Sequence, residues 1–381
     1  MTQMQAEFAR HLEVGKPQKF EAMTVVPLSF PGDRGPEYRT LAQGIARGKV
    51  RVTEVDKGGS VPNLMVVNSG SMATLILGGE ELAGAKQNRV LNTTVLVGAH
   101  SELIVPVSCT EQGRWHAQSA AFSDSGFVAE RRVRNALNTT VAHNLACGAG
   151  PRSDQGRVWR EVGELHERQG TSSHTGAMRD AFVSRQGNLD DYLKAFPLVD
   201  RQHGLLVMLG GEVVGIDFIS RGAAYAEVHR KLLQSYALEA LAFEYDTPAG
   251  ADAPGAGARG ASVGGKSTSG KSAGAKKRKQ SADEILTRAN AFMGTVADLT
   301  GTSYKSPGLG WDVRYQAPGL VGSTLTVDEV ALHGAFFVDP DGGDSDRMAR
   351  DEHVQRESRM ARLARRRGMN TDRPTEGPIV D

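Results

Sequence analysis

The chain has 381 residues, of which 39% are hydrophobic and 23% are charged, with 45 Lys and Arg against 44 Asp and Glu. This apolar content supports a sizeable core and excludes a wholly disordered chain, and the length predicts two domains plus unstructured segments. The balanced charge indicates no particular partner. The two cysteines, Cys109 and Cys147, belong to no CxxC pattern, which argues against a disulfide-stapled secreted fold and a cysteine-rich zinc module.

Signals for secretion and membrane insertion are not apparent in the sequence. Residues 1–20 lack the apolar run of a signal peptide, and no stretch reaches the roughly 18 apolar residues of a membrane span. The 10 histidines are scattered without metal-ligand spacing, and neither a phosphate-binding GxxxxGK[ST] loop nor a GxGxxG pattern after a strand occurs. We therefore expect a cytoplasmic protein that has no membrane contact, no metal and no cofactor.

The first third of the chain has the texture of an antiparallel sheet. Short runs rich in β-branched residues occur at 23–30, 51–55, 64–67, 72–77, 93–97 and 102–108. Gly98–Ser101 is predicted to turn the last two runs into a hairpin. We expect a β-rich N-terminal part over residues 1–125 that resembles one layer of a β-sandwich.

Residues 126–247 have a mostly helical apolar period, interrupted by one hairpin. Helices are predicted around 133–145, over 153–169 with a cap at Ser153 and Asp154, over 177–196 with a break near Gly187, and over 225–245. Between the last two, the apolar runs 205–209 and 212–219 flank Gly210 and Gly211, which predicts a two-residue hairpin turn.

The rest of the chain alternates between low-complexity and ordered patterns. Residues 248–280 are rich in Ala, Gly, Ser and Lys without an apolar period, which predicts a flexible basic insertion. Ser281 and Glu284 form a capping-box pattern for one more helix, and about three strands follow up to residue 339. The Arg-rich residues 340–381 are predicted to be disordered. The fold class is therefore α+β: an N-terminal antiparallel layer, then helices on a second antiparallel sheet formed by 126–247 and 281–339.

The densest group of polar residues lies between two predicted strands and comprises Lys86, Gln87, Arg89 and Asn92. Two cations and two amides suit an anionic ligand, because Arg grips a phosphate with two parallel N–H bonds and amides read the groups beside it. The alternative is structural: the amides cap turns, and Arg89 pairs with an acidic neighbour.

A second group, Glu111, Arg114 and Trp115, follows the strand that ends at Cys109. Trp stacks on a nucleobase, Arg holds a phosphate, and Glu serves as a general base, which together are the parts of a nucleotide site. The predicted hairpin 93–108 should bring this group beside the first one. The alternative is that Trp115 only covers the end of the core.

A third group lies at the start of the helix predicted over 153–169, where Arg152, Ser153, Asp154 and Gln155 meet free N–H groups that favour anions. Asp154 is here a second candidate catalytic carboxylate. The alternative reading is ordinary helix capping with surface charge.

Two segments predict affinity for nucleic acid. Lys276–Lys279 is basic, and residues 356–367 carry six Arg and one Glu, with Arg356 and Arg367 at the two ends. Such segments bind RNA or another polyanion weakly and without sequence preference. The alternative is that both are solvated tails, since neither is interleaved with aromatic residues.

Five segments of the chain carry most of the polar residues discussed above: GGEELAGAKQNRVLNTT, VSCTEQGRW, PRSDQGRVW, SHTGAM and LLQSYALEAL. They resemble the ARPP-type domain family, which is named for its association with ADP-ribosylglycohydrolases and rhodanese-phosphatase superfamily proteins. The resemblance runs from Arg51 to Leu241 and more weakly over 308–337. It implies a ligand from ADP-ribose metabolism or RNA repair and assigns no catalytic residue.

The function that we expect is the binding or processing of an ADP-ribose-like or other phosphorylated nucleotide. Three classes stay open. An enzyme requires turnover and a carboxylate such as Glu111 or Asp154 at the ligand, whereas a binding module has affinity alone. An RNA-binding or interaction module instead depends on the basic segments and shows a steep dependence on salt.

The predicted insertion yields a test of chain organisation. Replacing residues 248–280 with a short Gly/Ser linker should barely change the melting temperature, because loop closure costs only about 0.6 kcal/mol per doubling of loop length. Thermal unfolding of the full-length and shortened chains measures this. A large drop in melting temperature would mean that the segment packs against the fold.

Overall fold

A computed structural model describes residues 2–55, 62–114, 116, 118–246 and 280–339. The predictions for Trp115, for most of the insertion and for the Arg-rich tail therefore lie outside the described residues. One compact unit contains the described residues up to Ala317 together with Val321–Val338. Of the second unit, only Pro318–Leu320 and Asp339 are described, and the Asp339 N–H donates to the Gly319 carbonyl over 2.9 Å.

The described residues form seven α-helices, and a short 3₁₀ helix spans Glu7–His11. The α-helices are α1 (Leu41–Ala46), α2 (Arg131–Ala146), α3 (Gln155–Gln169), α4 (Met178–Ser184), α5 (Gln186–Ala195), α6 (Gly222–Asp246) and α7 (Ala282–Ala297). The strands of the first part are β1 (Gln3–Gln5), β2 (Glu13–Val14), β3 (Gln18–Phe20), β4 (Met23–Ser29), β5 (Tyr38–Thr40), β6 (Val50–Glu54), β7 (Asn63–Asn68), β8 (Ala73–Ile76), β9 (Glu80–Gly84), β10 (Arg89–Leu91), β11 (Val95–Val97), β12 (Ser101–Cys109) and β13 (Phe122–Val128). The later strands are β14 (Gly204–Leu209), β15 (Glu212–Ile219), β16 (Thr300–Lys305), β17 (Trp311–Ala317), β18 (Leu320–Val327) and β19 (Val330–Val338).

These strands form three sheets. A ten-stranded sheet has the order β1-β16-β17-β18-β19-β15-β14-β4-β2, with β3 also on β4. Strands β10-β12-β7-β6-β13-β9 close a barrel, and β11-β8-β5 form a small sheet in which β5 and β8 run parallel. One apolar cluster fills the barrel, and a larger one lies between the ten-stranded sheet and helices α2–α6. The predicted α+β class is confirmed.

Several local predictions are confirmed at the level of single residues. Ser281 Oγ accepts from the Glu284 N–H, and the Glu284 carboxylate accepts from the Ser281 N–H, so α7 begins with the expected capping box. Gly210 and Gly211 connect β14 to β15 with φ of +58° and +92°, the left-handed values that this two-residue turn requires. The helix predicted over 177–196 is divided into α4 and α5 at Arg185, two residues before Gly187.

The predicted hairpin between runs 93–97 and 102–108 is wrong. The turn itself forms, with Ser101 Oγ donating to the Gly98 carbonyl over 2.8 Å. The flanking strands, however, enter different sheets: β11 pairs with β8, whereas β12 pairs with β10 and β7. Asn68 favours this divergence, because its side-chain amide donates to the Gly98 carbonyl over 2.8 Å and so holds the turn against the end of β7.

The first apolar run of the chain, β4, joins the large sheet. It pairs with β14 in the register Leu28↔Gly204 and lies there beside strands from the second half of the chain. Six of its seven residues are buried, which is typical of a strand covered on both faces. The β4–β14 pairing places the loop after β4 next to the loop before β14.

Helix α2 begins with charges that are unfavourable for an isolated helix. Arg131, Arg132 and Arg134 occupy its first turn, where the helix dipole disfavours cations. Arg131 and Arg132 contact Glu239 of α6, and Arg134 contacts Asp217 of β15. The tertiary ion pairs therefore offset a local cost.

Asp217 is fully buried and accepts from Arg134 Nη1 over 3.0 Å and from the Tyr236 hydroxyl over 2.7 Å. Burial raises the pKa of its carboxyl, but the charge of Arg134 and the hydrogen bonds of His333 and Arg134 more than offset this, so the net pKa lies below the ordinary value. Asp217 thus stays ionised and joins β15, α2 and α6.

Among the described residues, no helix is both long and apolar enough to span a membrane. In the same part of the chain, no group of three or more His, Cys, Asp or Glu side chains is arranged to hold a metal ion.

The Asp217→Ala substitution should lower the free energy of unfolding by about 3–5 kcal/mol, because it leaves the Arg134 guanidinium buried without its counter-charge. Urea unfolding measures the change. Asp191→Asn, at an exposed position of α5, serves as the control and should cost less than about 0.5 kcal/mol. Equal effects of the two substitutions would contradict the role given to Asp217.

Candidate functional site

The first two predicted groups meet through the pairing of β10 with β12. Arg89 lies opposite Cys109 in this pair, so the residues before β10 approach those after β12. The Asn88 N–H donates to Glu111 Oε2 over 3.2 Å, and Gln87 Nε2 donates to the Gln112 carbonyl over 3.4 Å. The pairing of β10 with β12, and not a β11–β12 hairpin, thus brings the loop with Gln87 and Asn88 to Glu111 and Arg114, while Trp115 lies outside the described residues and its place in the group stays a prediction.

Arg114 is buried, and protein acceptors occupy its guanidinium. Nε donates to Glu111 Oε1 over 2.9 Å, and Nη2 donates to Glu111 Oε2 over 2.6 Å. Nη1 donates to the carbonyls of Ala85 and His116, and Nη2 also reaches Asn88 Oδ1 over 3.2 Å. Since a guanidinium has only five N–H donors, Arg114 here holds loops together and has no donor left for a phosphate.

Glu111 is the acceptor at the centre of this group. Besides Arg114 and Asn88, the Thr175 hydroxyl donates to its Oε1 over 2.9 Å. Burial raises the pKa of the carboxyl, but the hydrogen bonds from Arg114, Thr175 and the Asn88 N–H outweigh burial and leave the pKa below its usual value. An ionised carboxylate with four donors is a poor general base, so the geometry favours a structural role for Glu111.

Other members of the first group are buried or half-buried as well. Arg89 is fully buried, and its Nη1 donates to Gln87 Oε1 over 2.9 Å. Lys86 is half-buried. Glu80, one of the acidic neighbours considered for Arg89, binds Lys231 Nζ over 2.7 Å.

The third predicted group docks α3 onto the barrel. Asp154 caps α3 and accepts from the Gly156 N–H over 2.8 Å. Gln155 binds the Cys109 backbone, accepting from its N–H over 2.8 Å and donating to its carbonyl over 2.9 Å. Ser153 contacts Ser108, whose hydroxyl donates to Asn92 Oδ1 over 2.6 Å.

Arg152 is exposed beside this group. The structural reading therefore accounts for the contacts of Asp154 and Gln155, while the assignment of these residues to a ligand stays a prediction.

The sequence did not single out Glu81, whose carboxyl is fully buried on β9 beside the first two groups. Burial raises its pKa to about 7, against the opposing effect of hydrogen bonds from Thr110 and Ser125. The sequence signal that could have identified this buried acid is the pair of adjacent acidic residues, Glu80 and Glu81, inside a short strand.

An open cavity of about 570 Å³ lies elsewhere, beside the start of α6. Its lining comes from the segments 30–33, 198–203 and 222–226. The first two segments are neighbours because β4 pairs with β14. The third follows β15 directly, and β15 is the other neighbour of β14.

Asp33 and His203 form the polar centre of this cavity. Asp33 Oδ1 accepts from the Gly222 N–H over 2.8 Å and lies 3.2 Å from His203 Nε2. Its Oδ2 lies 3.3 Å from Arg221 Nη2. His203 is buried, and its Nδ1 lies between the Phe30 N–H at 3.3 Å and the Arg201 carbonyl at 2.8 Å. The carboxylate and the imidazole are thus both held in fixed positions.

The charges at the cavity are accessible to a ligand. Burial raises the pKa of Asp33, but the Gly222 N–H, His203 and Arg221 together outweigh burial and hold the pKa below its ordinary value, so Asp33 is ionised at neutral pH. Its side chain is 40% exposed. The Arg201 side chain is 79% exposed, and among the ion pairs of the described residues it contacts only its still more exposed neighbour Asp200.

Sequence reasoning missed this cavity. The segments PGDRG (31–35), DRQHG (200–204) and SRG (220–222) each combine glycine with a charged side chain beside a strand. Taken singly, each is ordinary turn chemistry. Only the pairing of β4, β14 and β15 brings them together.

The profile of the ARG and Rhodanese-Phosphatase-superfamily-associated Protein domain, ARPP-1, matches residues 11–337. The protein belongs to the ARPP-1 family. The match includes the three predicted groups and all three segments of the cavity. Comparisons with curated proteins and with solved structures find no match.

In this ARPP-1 protein, Glu111→Gln should lower the free energy of unfolding by about 3 kcal/mol at pH 7, since it leaves Arg114 buried without a counter-charge. Because the folded pKa of Glu111 lies below the unfolded value, its contribution is present above about pH 4.5 and is lost as the pH falls through the folded pKa. Urea unfolding at a series of pH values measures the difference from the natural chain, which should shrink towards pH 3.

Glu81→Gln provides the matched comparison. The folded pKa of Glu81 is raised to about 7, so the natural chain loses stability as the pH rises from about 4.5 to 7, when the unfolded state ionises first. Replacing Glu81 by Gln removes this loss of stability. The free energy of unfolding of the variant should therefore rise relative to that of the natural chain as the pH increases over the same range. The same direction of pH dependence in both variants would contradict these assignments.

Proposed function

We propose that this ARPP-1 protein binds a phosphorylated nucleotide of the ADP-ribose class in the cavity beside the start of α6. The observation that carries the proposal is one open space of about 570 Å³ that combines apolar walls, an ionised carboxylate and an exposed guanidinium. Ligand cavities typically measure about 300–1,000 Å³ and have mostly apolar walls with a few placed polar groups. The family description, with its association to ADP-ribosylglycohydrolases, supports a nucleotide-related ligand.

Each part of a nucleotide has a complementary feature in the cavity. Leu198 and Val199 are 44% and 36% exposed. Exposure of apolar side chains to water is unfavourable, and a nucleobase that covers them removes this cost. Arg201 supplies a guanidinium for the phosphate. Its ion pair with Asp200 is exposed and contributes only about 0–1 kcal/mol, so little stability is lost when a phosphate replaces Asp200 as its partner. Asp33 and His203 supply further polar groups in the lining.

The contacts within the protein make the earlier groups a weaker location for this ligand. Arg114 uses all its donors on protein acceptors, and Asp154 caps a helix. Lys86 is the half-buried cation of those groups and serves to separate the two locations. A cytoplasmic location, where such nucleotides occur, is part of the proposal.

Calorimetric titration with ADP-ribose and ADP tests the proposal. Arg201→Ala should weaken binding by about 1 kcal/mol, or about fivefold, as expected for an exposed hydrogen bond to a charged group. Arg47→Ala, at an exposed arginine that ends α1, is the matched control and should leave affinity unchanged. Scoring turnover of each ligand that binds separates an enzyme from a binding module.

Three outcomes would contradict the proposal. Absence of binding by the natural chain would contradict the ligand class. Loss of binding in Lys86→Ala with full binding in Arg201→Ala would instead locate the ligand at the loop before β10. Binding of RNA but not of ADP-ribose would favour the alternative based on the basic segments.

A further inference from the structure

We infer that Asp33 binds the ribose hydroxyls of the ligand and makes the cavity select ribonucleotides over 2′-deoxyribonucleotides. The inference rests on the proposed function and names the part of the ligand that this carboxylate recognises.

The carboxylate of Asp33 is fixed before any ligand arrives. The Gly222 N–H at 2.8 Å and His203 Nε2 at 3.2 Å both approach Oδ1, and Arg221 Nη2 lies 3.3 Å from Oδ2. Gly222 begins a 25-residue helix, and His203 is buried, so neither neighbour is a mobile surface group. A preorganised acceptor loses little conformational entropy when it binds a donor.

Asp33 also keeps capacity to accept further hydrogen bonds. An ionised carboxylate offers about four acceptor positions on its two oxygens; the contacts at Oδ1 use two of them and Arg221 Nη2 approaches Oδ2, so the remaining capacity is on Oδ2. The side chain lines the cavity and is 40% exposed. Because Asp33 stays ionised at neutral pH, it accepts only, and its ligand group must be a donor.

Among the parts of a nucleotide, the ribose diol suits this position best. A phosphate is repelled by the carboxylate and is instead attracted to Arg201. The base is expected on the apolar side, at Leu198 and Val199. The sugar lies between base and phosphate in any nucleotide, and its hydroxyls are donors; in dinucleotide sites an acidic residue accepts from the 2′-hydroxyl.

Calorimetric titration of the full chain with ADP, 2′-deoxy-ADP and IDP tests the inference. The natural chain should bind ADP at least about tenfold more tightly than 2′-deoxy-ADP, the effect of one hydrogen bond to a charged group. Asp33→Asn should reduce this ratio to about threefold or less. Glu37→Gln is the matched control: Glu37 lies 3.7 Å from the same Arg221 but does not line the cavity, so the tenfold ratio should remain.

The outcomes separate the two proposals. If the natural chain binds ADP and 2′-deoxy-ADP equally, the role of Asp33 is wrong while the proposed nucleotide function stands. The same follows if Asp33→Asn prefers ADP over 2′-deoxy-ADP as strongly as the natural chain does. It also follows if the chain prefers ADP over IDP but not over 2′-deoxy-ADP, because affinity then depends on the amino group of the base. If no nucleotide binds, the proposed function itself fails. The ratio of the affinities of the natural chain for ADP and 2′-deoxy-ADP tests the inference even if Asp33→Asn does not fold.

Discussion

The buried carboxylate of Asp217 is the constraint on which the architecture depends. A charge without exposure to water is stable only when it is paired and hydrogen-bonded, and Asp217 satisfies this requirement through Arg134 of α2 and Tyr236 of α6. Its own strand, β15, ends three residues before α6 begins at Gly222. The pairing therefore holds α6 against the large sheet, and the short connection after β15 places the start of α6 at one wall of the cavity.

The predicted site illustrates what a cluster of polar residues in a sequence can and cannot establish. The sequence indicated that the segments around Arg89 and Arg114 belong together, and β10–β12 pairing brings them together. Whether a guanidinium binds a ligand or a loop depends on how many of its donors have acceptors within the protein. For Arg114, the acceptors can be counted only in the folded structure, which places the carbonyls of Ala85 and His116 beside the guanidinium. Arg114 thus holds together the loops at this end of the barrel.

Local signals in the sequence were sufficient wherever a single segment determines its own structure. The Ser281–Glu284 box and the Gly210–Gly211 turn are such cases, because hydrogen bonds and φ values within a few residues decide them. The prediction of a β11–β12 hairpin failed because the choice of partner strand depends on burial across the sheets. It also depends on Asn68, which is far from the turn in sequence. Asp33 and His203, 170 residues apart, could not be paired before the β4–β14 register was known.

The run of arginines at the start of α2 has a consequence for how the chain folds. Alone, the helix has only the Glu130 N-cap against three positive side chains at the positive end of its dipole, so it is a weak nucleus. Its compensating acids, Asp217 and Glu239, are separated from it by 83 and 108 residues. Contacts over such distances form slowly because a long loop must close first. The helix should therefore consolidate only after β15 and α6 are in place, which makes α2 a late element on the folding pathway, after much of the later sequence has been synthesised.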